Sequence, residues 1–151
     1  MIPLAVHSHY SLLRGVSGVR ELCARAKALG YKVLGLTDTN NLYGLWPFLE
    51  ACAEFNLRPV VGAEITDPNV GTKVVALVKN SKGYANLCRL LTQRLRDPEF
   101  NLEQAVPPLG QGLILLTPSP QCLIQWHALF RQGMDLEDRK STRLNSSHVS
   151  Q

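Results

Sequence analysis

The sequence predicts an α/β domain of parallel strands with outer helices, and three observations carry the prediction. Short apolar runs of strand length alternate with stretches of helical spacing through short connections. Three of those runs end on a residue that carries chemistry: Leu4-Ala5-Val6 on His7, Val33-Leu34-Gly35-Leu36-Thr37 on Asp38, and Val60-Val61-Gly62-Ala63 on Glu64. Directly after Asp38 the chain turns through Thr39-Asn40-Asn41 into a helical pattern, the place where α/β folds put their chemistry. If the three runs are neighbouring parallel strands, His7, Asp38 and Glu64 gather on one rim.

Residues 2–7 read as the first strand. Residues 8–18 form a loop, with glycines at 15 and 18 and Ser17 as the N-cap of the first helix. Apolar residues at 19, 22, 23, 26 and 29 make a helical stripe that Gly30 stops. Residues 31–37 are the second strand. Residues 42–56 are the second helix, with Leu45, Phe48, Leu49, Cys52 and Phe55 on one face and Pro47 in the first turns. Residues 58–65 are the third strand, and Pro68 and Gly71 mark a turn after it.

Residues 73–78 form a fourth strand. Ser81 then caps a helix carrying Tyr84, Leu87, Cys88, Leu91 and Leu95. Residues 97–111 are loop-rich, with a helical turn near Leu102 to Ala105. Residues 112–117 are a fifth strand, and Ser119-Pro120 opens a helix bearing Leu123, Ile124, Trp126, Leu129 and Phe130. Such alternation predicts right-handed crossovers in a parallel sheet, either open or part of a barrel left unfinished at the C-terminus. The domain is expected over residues 1–137. Residues 138–151 lack periodicity and almost all apolar content, so a disordered tail is expected there. Their sequence also resembles translated sequencing-adaptor read-through, and His148 is given no role.

The composition is that of an ordinary soluble protein, 45% hydrophobic and 19% charged. No apolar run approaches the roughly 20 residues that span a bilayer, and no leader pattern opens the chain, so no membrane association and a cytoplasmic location are expected. Cys23, Cys52, Cys88 and Cys122 are far apart and sit among apolar residues, which predicts free buried thiols. The net charge of +4 owes most to Arg139, Lys140 and Arg143; without them thirteen basic residues face twelve acidic ones. Total charge therefore predicts no basic face for nucleic acid. The sequence has no dinucleotide or P-loop glycine pattern, no nucleophile elbow and no Asp-x-Asp pair. The remaining chemistry is a metal-assisted phosphoester site at a strand-end rim.

Each candidate has a bland reading as well. His7 and His9 would share a face if the strand ran through both, and would otherwise be a strand-end and a loop histidine. Asp38 serves either chemistry or a turn, and an Asp before Thr-Asn-Asn suits an Asx-turn. Glu64 after Gly62-Ala63 has no capping role, which favours function. Arg14 is by default a solvated loop arginine, and His127 beside Trp126 a surface or core-edge residue.

Four stretches together resemble the PHP domain, a family named for polymerase and histidinol phosphatase. They are Val6-His7-Ser8-His9-Tyr10-Ser11 with Gly15, Leu36-Thr37-Asp38-Thr39-Asn40-Asn41-Leu42-Tyr43-Gly44, Arg58-Pro59-Val60-Val61-Gly62-Ala63-Glu64, and Gly83-Tyr84-Ala85-Asn86-Leu87. The last resembles the N-terminal region of bacterial DNA polymerase III alpha subunits more than stand-alone PHP phosphatases. The resemblance implies a distorted (β/α)7 barrel, here partial, and a Zn²⁺, Mn²⁺ or Mg²⁺ cluster at the strand ends that some members use for 3′–5′ exonuclease proofreading. Aligned without gaps on Tyr10-Ser11 and Gly15, the family's ligand positions fall on Ala5, His7 and Arg14, and its Thr-Asp-His becomes Thr37-Asp38-Thr39.

His7, Asp38 and Glu64 thus survive as metal-ligand positions, while Ala5, Arg14 and Thr39 are lost ones. An arginine there also repels a divalent cation. The implied function is a structural, catalytically degenerate PHP domain that binds no metal. It would belong to a polymerase that meets DNA and replisome subunits. The alternatives are a stand-alone metal-dependent phosphoesterase or exonuclease, and a non-catalytic module that binds polymerase partners.

Overall fold

The computed structural model describes residues 2–131; the expected tail at 138–151 lies outside the described residues. The α/β class holds. Four strands form one sheet in the order β1 (Val33–Thr39), β2 (Arg58–Thr66), β3 (Lys73–Val78), β4 (Leu113–Leu116). Helix α1 (Val19–Ala28) precedes β1, and α2 (Leu45–Glu54) links β1 to β2. Helices α3 (Ser81–Arg96) and α4 (Leu102–Leu109) link β3 to β4. A fifth helix, α5, occupies the described residues 120–131.

Strand direction departs from the expected all-parallel sheet. β1 and β2 are parallel, joined through α2, but β3 runs antiparallel to β2 and β4 antiparallel to β3. For β3 the cause is the length of the link: residues 67–72 are too few for a crossover and turn the chain straight back as a hairpin. β4, reached through α3 and α4, then runs in the direction of β1 and β2. Gly71, at φ +72°, supplies a left-handed step in that turn.

Residues 2–7 are also not a ladder strand. They run beside β1 with the Gly35 N–H donating to the Pro3 carbonyl and the Thr37 N–H to the Val6 carbonyl, both at 2.8 Å. A three-residue step on one side thus matches a two-residue step on the other, so the pairing is bulged, and Pro3 has no N–H to give back. Gly35 permits the close approach, since a Cβ there would lie 2.6 Å from the Leu4 carbonyl oxygen.

Two buried clusters lie on the helix-bearing face. One joins α1 and α2 to β1 through Val19, Cys23, Leu34, Leu36, Phe48 and Cys52. The Cys23 and Cys52 sulfurs are 3.9 Å apart, and burial, with its neighbour's help, pushes the Cys52 thiol up to about 12. The other joins β2 and β3 to α3, α4 and α5 through Ala63, Ile65, Leu87, Leu90, Val106 and Trp126. The α3 stripe is rotated from the expected one: Tyr84 and Leu95 are exposed, while Asn86, Leu87, Leu90 and Leu91 are buried. Asn80, not Ser81, caps α3 by accepting from the Gly83 N–H at 3.0 Å. Gly18 precedes α1 without a side-chain cap, because the Ser17 carbonyl is turned to the His9 N–H.

Asp67 fixes the hairpin to α4. Its buried carboxylate accepts from the Leu102 N–H and the Asn69 N–H at 2.8 Å and from the Val70 N–H at 3.0 Å. Burial pushes its carboxyl up, but those three N–H groups and the Arg94 charge outweigh that and hold it below the ordinary value of 3.8. Stability from this group is therefore present above the ordinary carboxylate range and lost as pH falls through the folded value. Asp67→Ala is expected to cost about 1–3 kcal/mol at neutral pH, the range for a lost cap and stranded buried donors. In urea denaturation the gap to wild type should narrow as the solution is acidified; a gap that widens in acid would overturn the assignment.

Candidate functional site

Glu64 lies on the sheet face opposite the helices. Paired residues of neighbouring strands share a face, and Glu64 is paired with Thr39 in β1 and Val75 in β2's other neighbour, β3. Its side chain is 2% exposed. One carboxylate oxygen, Oε1, accepts from the Arg14 guanidinium. The other, Oε2, accepts from the Lys73 ammonium at 2.8 Å. The Thr39 hydroxyl donates to Oε1 at 3.5 Å, and the His7 Nε2 stands 3.7 Å from the same oxygen. That nitrogen is buried and has no hydrogen-bond partner.

The N-terminal loop delivers Arg14. Ser8 and Ser11 are fully buried, and the Ser11 carbonyl accepts from the N–H groups of both Arg14 and Gly15. Gly15 sits so close to the Ser8 carbonyl that an added Cβ would fall 1.9 Å from its oxygen, so the turn needs glycine. Leu13 adopts φ +63°, and Leu12 and Leu13 project outward while Arg14 turns in. The default reading of Arg14 as a solvated loop residue is thereby corrected: the loop's own turns aim it at Glu64.

The expected rim of three residues is only partly assembled. His7 and Glu64 meet. Asp38 is paired with Ala63, one residue out of step with Glu64, so its side chain leaves the sheet on the opposite face. There its Oδ1 accepts from the Ser8 N–H at 2.7 Å and the Ser11 hydroxyl at 2.6 Å, and its Oδ2 from the Ser8 hydroxyl at 2.7 Å. Ser11 in turn accepts from the Thr39 N–H at 3.0 Å. Asp38 is thus the anchor of the loop that carries Arg14. The Asx-turn expected of it is made instead by Asn41, which accepts from the Tyr43 N–H, while Asn40 takes φ +56°.

His9 is exposed and stacks on Tyr10 with ring centroids 4.2 Å apart, which separates it from His7. Ala5 is exposed on the leading segment. Ser8, Ser11 and Lys73 are the residues that sequence reasoning missed. A signal for Lys73 existed: a hairpin through 67–72 pairs Lys73 with Thr66, two residues from Glu64 on the same face.

A cluster of divalent cations does not fit these side chains. Among the described residues no group of three His, Cys, Asp or Glu is placed to hold a metal ion. Both oxygens of Glu64 are bound to cations of the chain itself, and both oxygens of Asp38 are bound to O–H or N–H donors. A multi-metal site needs several free anionic donors and a supporting shell of its own. What the arrangement does provide is an ionic link, one carboxylate held between two cations, that joins the N-terminal loop, strand β2 and the hairpin strand β3.

Residues 3–142 match the family described as PHP domain. The chain is 40% identical over 92 residues to the error-prone DNA polymerase of Pseudomonas aeruginosa, covering 61% of this chain and 9% of that protein. It is 33% identical over 127 residues to the DNA polymerase III subunit alpha of Buchnera aphidicola from Schizaphis graminum, covering 77% of this chain and 11% of that protein. The chain therefore spans about a tenth of the length of the curated relatives it matches. Among solved structures it is similar to an amidohydrolase from Chromobacterium violaceum, with a TM-score of 0.49 and 26% identity, covering 62% of this chain and 34% of that one. Among the described residues no helix is long and apolar enough to cross a membrane.

Proposed function

Because the chain belongs to the PHP domain family, we propose that it is the N-terminal PHP region of a DNA polymerase III alpha-like or error-prone polymerase, with a degenerate site that serves as a structural platform. The observation that carries the silent site is the carboxylate of Glu64, which holds Arg14 on one oxygen and Lys73 on the other. A carboxylate so engaged carries a cation of the chain on each oxygen, which a metal ion would have to displace, and without a metal this face lacks the means to activate water on a phosphoester. The polymerase parent is supported by the names of the relatives, error-prone DNA polymerase and DNA polymerase III subunit alpha. In that reading DNA-templated synthesis, contact with DNA and replisome subunits, and a cytoplasmic location all belong to the complete protein. In the same reading the domain ends at residue 137, although the family match continues to residue 142.

Two measurements test the two halves of this reading. Purified chain is expected to carry no stoichiometric Zn²⁺ or Mn²⁺ and to release no nucleotides from the 3′ end of labelled single-stranded DNA. Bound metal at stoichiometric level together with nucleotide release would assign a working exonuclease. Long-read sequencing of the source locus across the Asp138 codon is expected to show a frame that continues into a far longer chain with paired catalytic aspartates. A frame closing near residue 151 would overturn the polymerase parent and bring forward a stand-alone phosphoesterase or binding role.

A further inference from the structure

The cations that occupy Glu64 come from opposite sides of it. Arg14 arrives from the N-terminal loop, beside β1, and Lys73 from the first residue of β3, across the hairpin. Each cation is close to half exposed, at 45% and 43%, whereas the carboxylate between them is 2% exposed. The acid is therefore enclosed while both of its cations keep contact with solvent, which lowers the cost of placing a carboxylate on this face. Within the same site the His7 Nε2 lacks a hydrogen-bond partner and remains 3.7 Å from Oε1, so the histidine contributes no further hydrogen bond to the acid.

We propose that Arg14 and Lys73 are permanent counter-cations of Glu64, so that this domain folds without any metal. The inference rests on the silent-site reading and adds the requirement that the two cations, not a metal, hold Glu64 in the folded chain. A divalent ion entering the site would have to displace at least one of them, and displacement separates a buried carboxylate from its partner. Without Arg14, Oε1 keeps only the Thr39 hydroxyl at 3.5 Å, and without Lys73, Oε2 loses its hydrogen-bond donor. The two therefore act as one device, and the acid is a liability as soon as both are gone.

The test uses the full 151-residue chain, melted by far-UV circular dichroism in EDTA and again with added Mn²⁺. Wild type is expected to melt at the same temperature in both. The double variant Arg14→Met/Lys73→Met should melt about 6–12 °C lower, the shift expected in a chain of this size when a buried charge loses its partners. Adding Glu64→Gln to that variant should recover most of the loss, because the unpaired charge goes with it. If the double variant does not fold, recovery in the triple variant carries the result in its favour, and failure of the triple variant as well overturns the proposal. A wild-type melting temperature that rises in Mn²⁺ would overturn the silent-site reading itself. A wild type indifferent to Mn²⁺ with a double variant that melts like it would overturn the counter-cation proposal alone.

Discussion

Asp38→Ala is expected to destabilise the chain by about 3–4 kcal/mol, although the family resemblance of its motif implies a metal ligand there. Its carboxylate accepts three short hydrogen bonds, from the Ser8 N–H and from the hydroxyls of Ser8 and Ser11, and all three donors are buried. Removing the acceptor strands them, at about 1–3 kcal/mol for each group left without a partner and less where water enters. The loop would also lose the hold that places Arg14 on Glu64, so part of the cost is indirect. Asp38→Asn keeps one acceptor oxygen and the shape, and the serine hydroxyls can rotate to accept from the new amide, so a loss of about 1–2 kcal/mol is expected. Urea denaturation gives both values, and each should be the same in EDTA and in Mn²⁺. A loss that grows in Mn²⁺ would make Asp38 a metal ligand, and a loss under about 1 kcal/mol would show that the loop is anchored elsewhere.

The elements themselves were legible because hydrophobic period and punctuation agreed along most of the chain. Val33–Thr39, Arg58–Thr66 and Lys73–Val78 are apolar runs bounded by Gly, Pro and Asn, and they are the three long strands. Strand direction was not legible from alternation alone. Between β2 and β3 a residue count decides it, since six residues after Thr66 allow a hairpin and no crossover, whereas the long link through α3 and α4 allows either direction for β4. The site was half legible for a related reason. Chemistry-bearing residues at strand ends mark a rim, but only register says which of them share a face. A one-residue offset between β1 and β2 sends Asp38 and Glu64 to opposite sides.

Ion pairing was the least legible layer. Arg14 and Glu64 are fifty positions apart, and the pair depends on a loop whose path is set by Gly15, by Leu13 in a left-handed conformation and by two buried serines. The resemblance implied lost ligands at Ala5, Arg14 and Thr39, while the cations that hold Glu64 needed the fold to be seen.

In the second core cluster Trp126→Ala is expected to cost about 3 kcal/mol. Trp126 is 2% exposed, packs α5 into the cluster formed with α3 and α4, and donates its indole N–H to the Glu103 carbonyl at 3.2 Å. Truncations of this kind cost about 3–5 kcal/mol, depending on how far the surroundings collapse. Here they can collapse. A groove lined by Pro107, Gly110, Leu113, Leu123 and Phe130 opens beside the indole, so the space left is continuous with solvent-accessible volume and the low end of the range applies. Trp126→Phe keeps most of the apolar contact and loses the hydrogen bond, so about 1–1.5 kcal/mol is expected. The other tryptophan, Trp46, is 70% exposed and reports poorly on burial, so the variants are compared by circular dichroism in urea rather than by fluorescence. A loss well below 1 kcal/mol for Trp126→Ala would mean that α5 does not pack on α4 in solution. The second core cluster would then depend on α3 and α4 alone, and the platform proposed for the polymerase would end at β4.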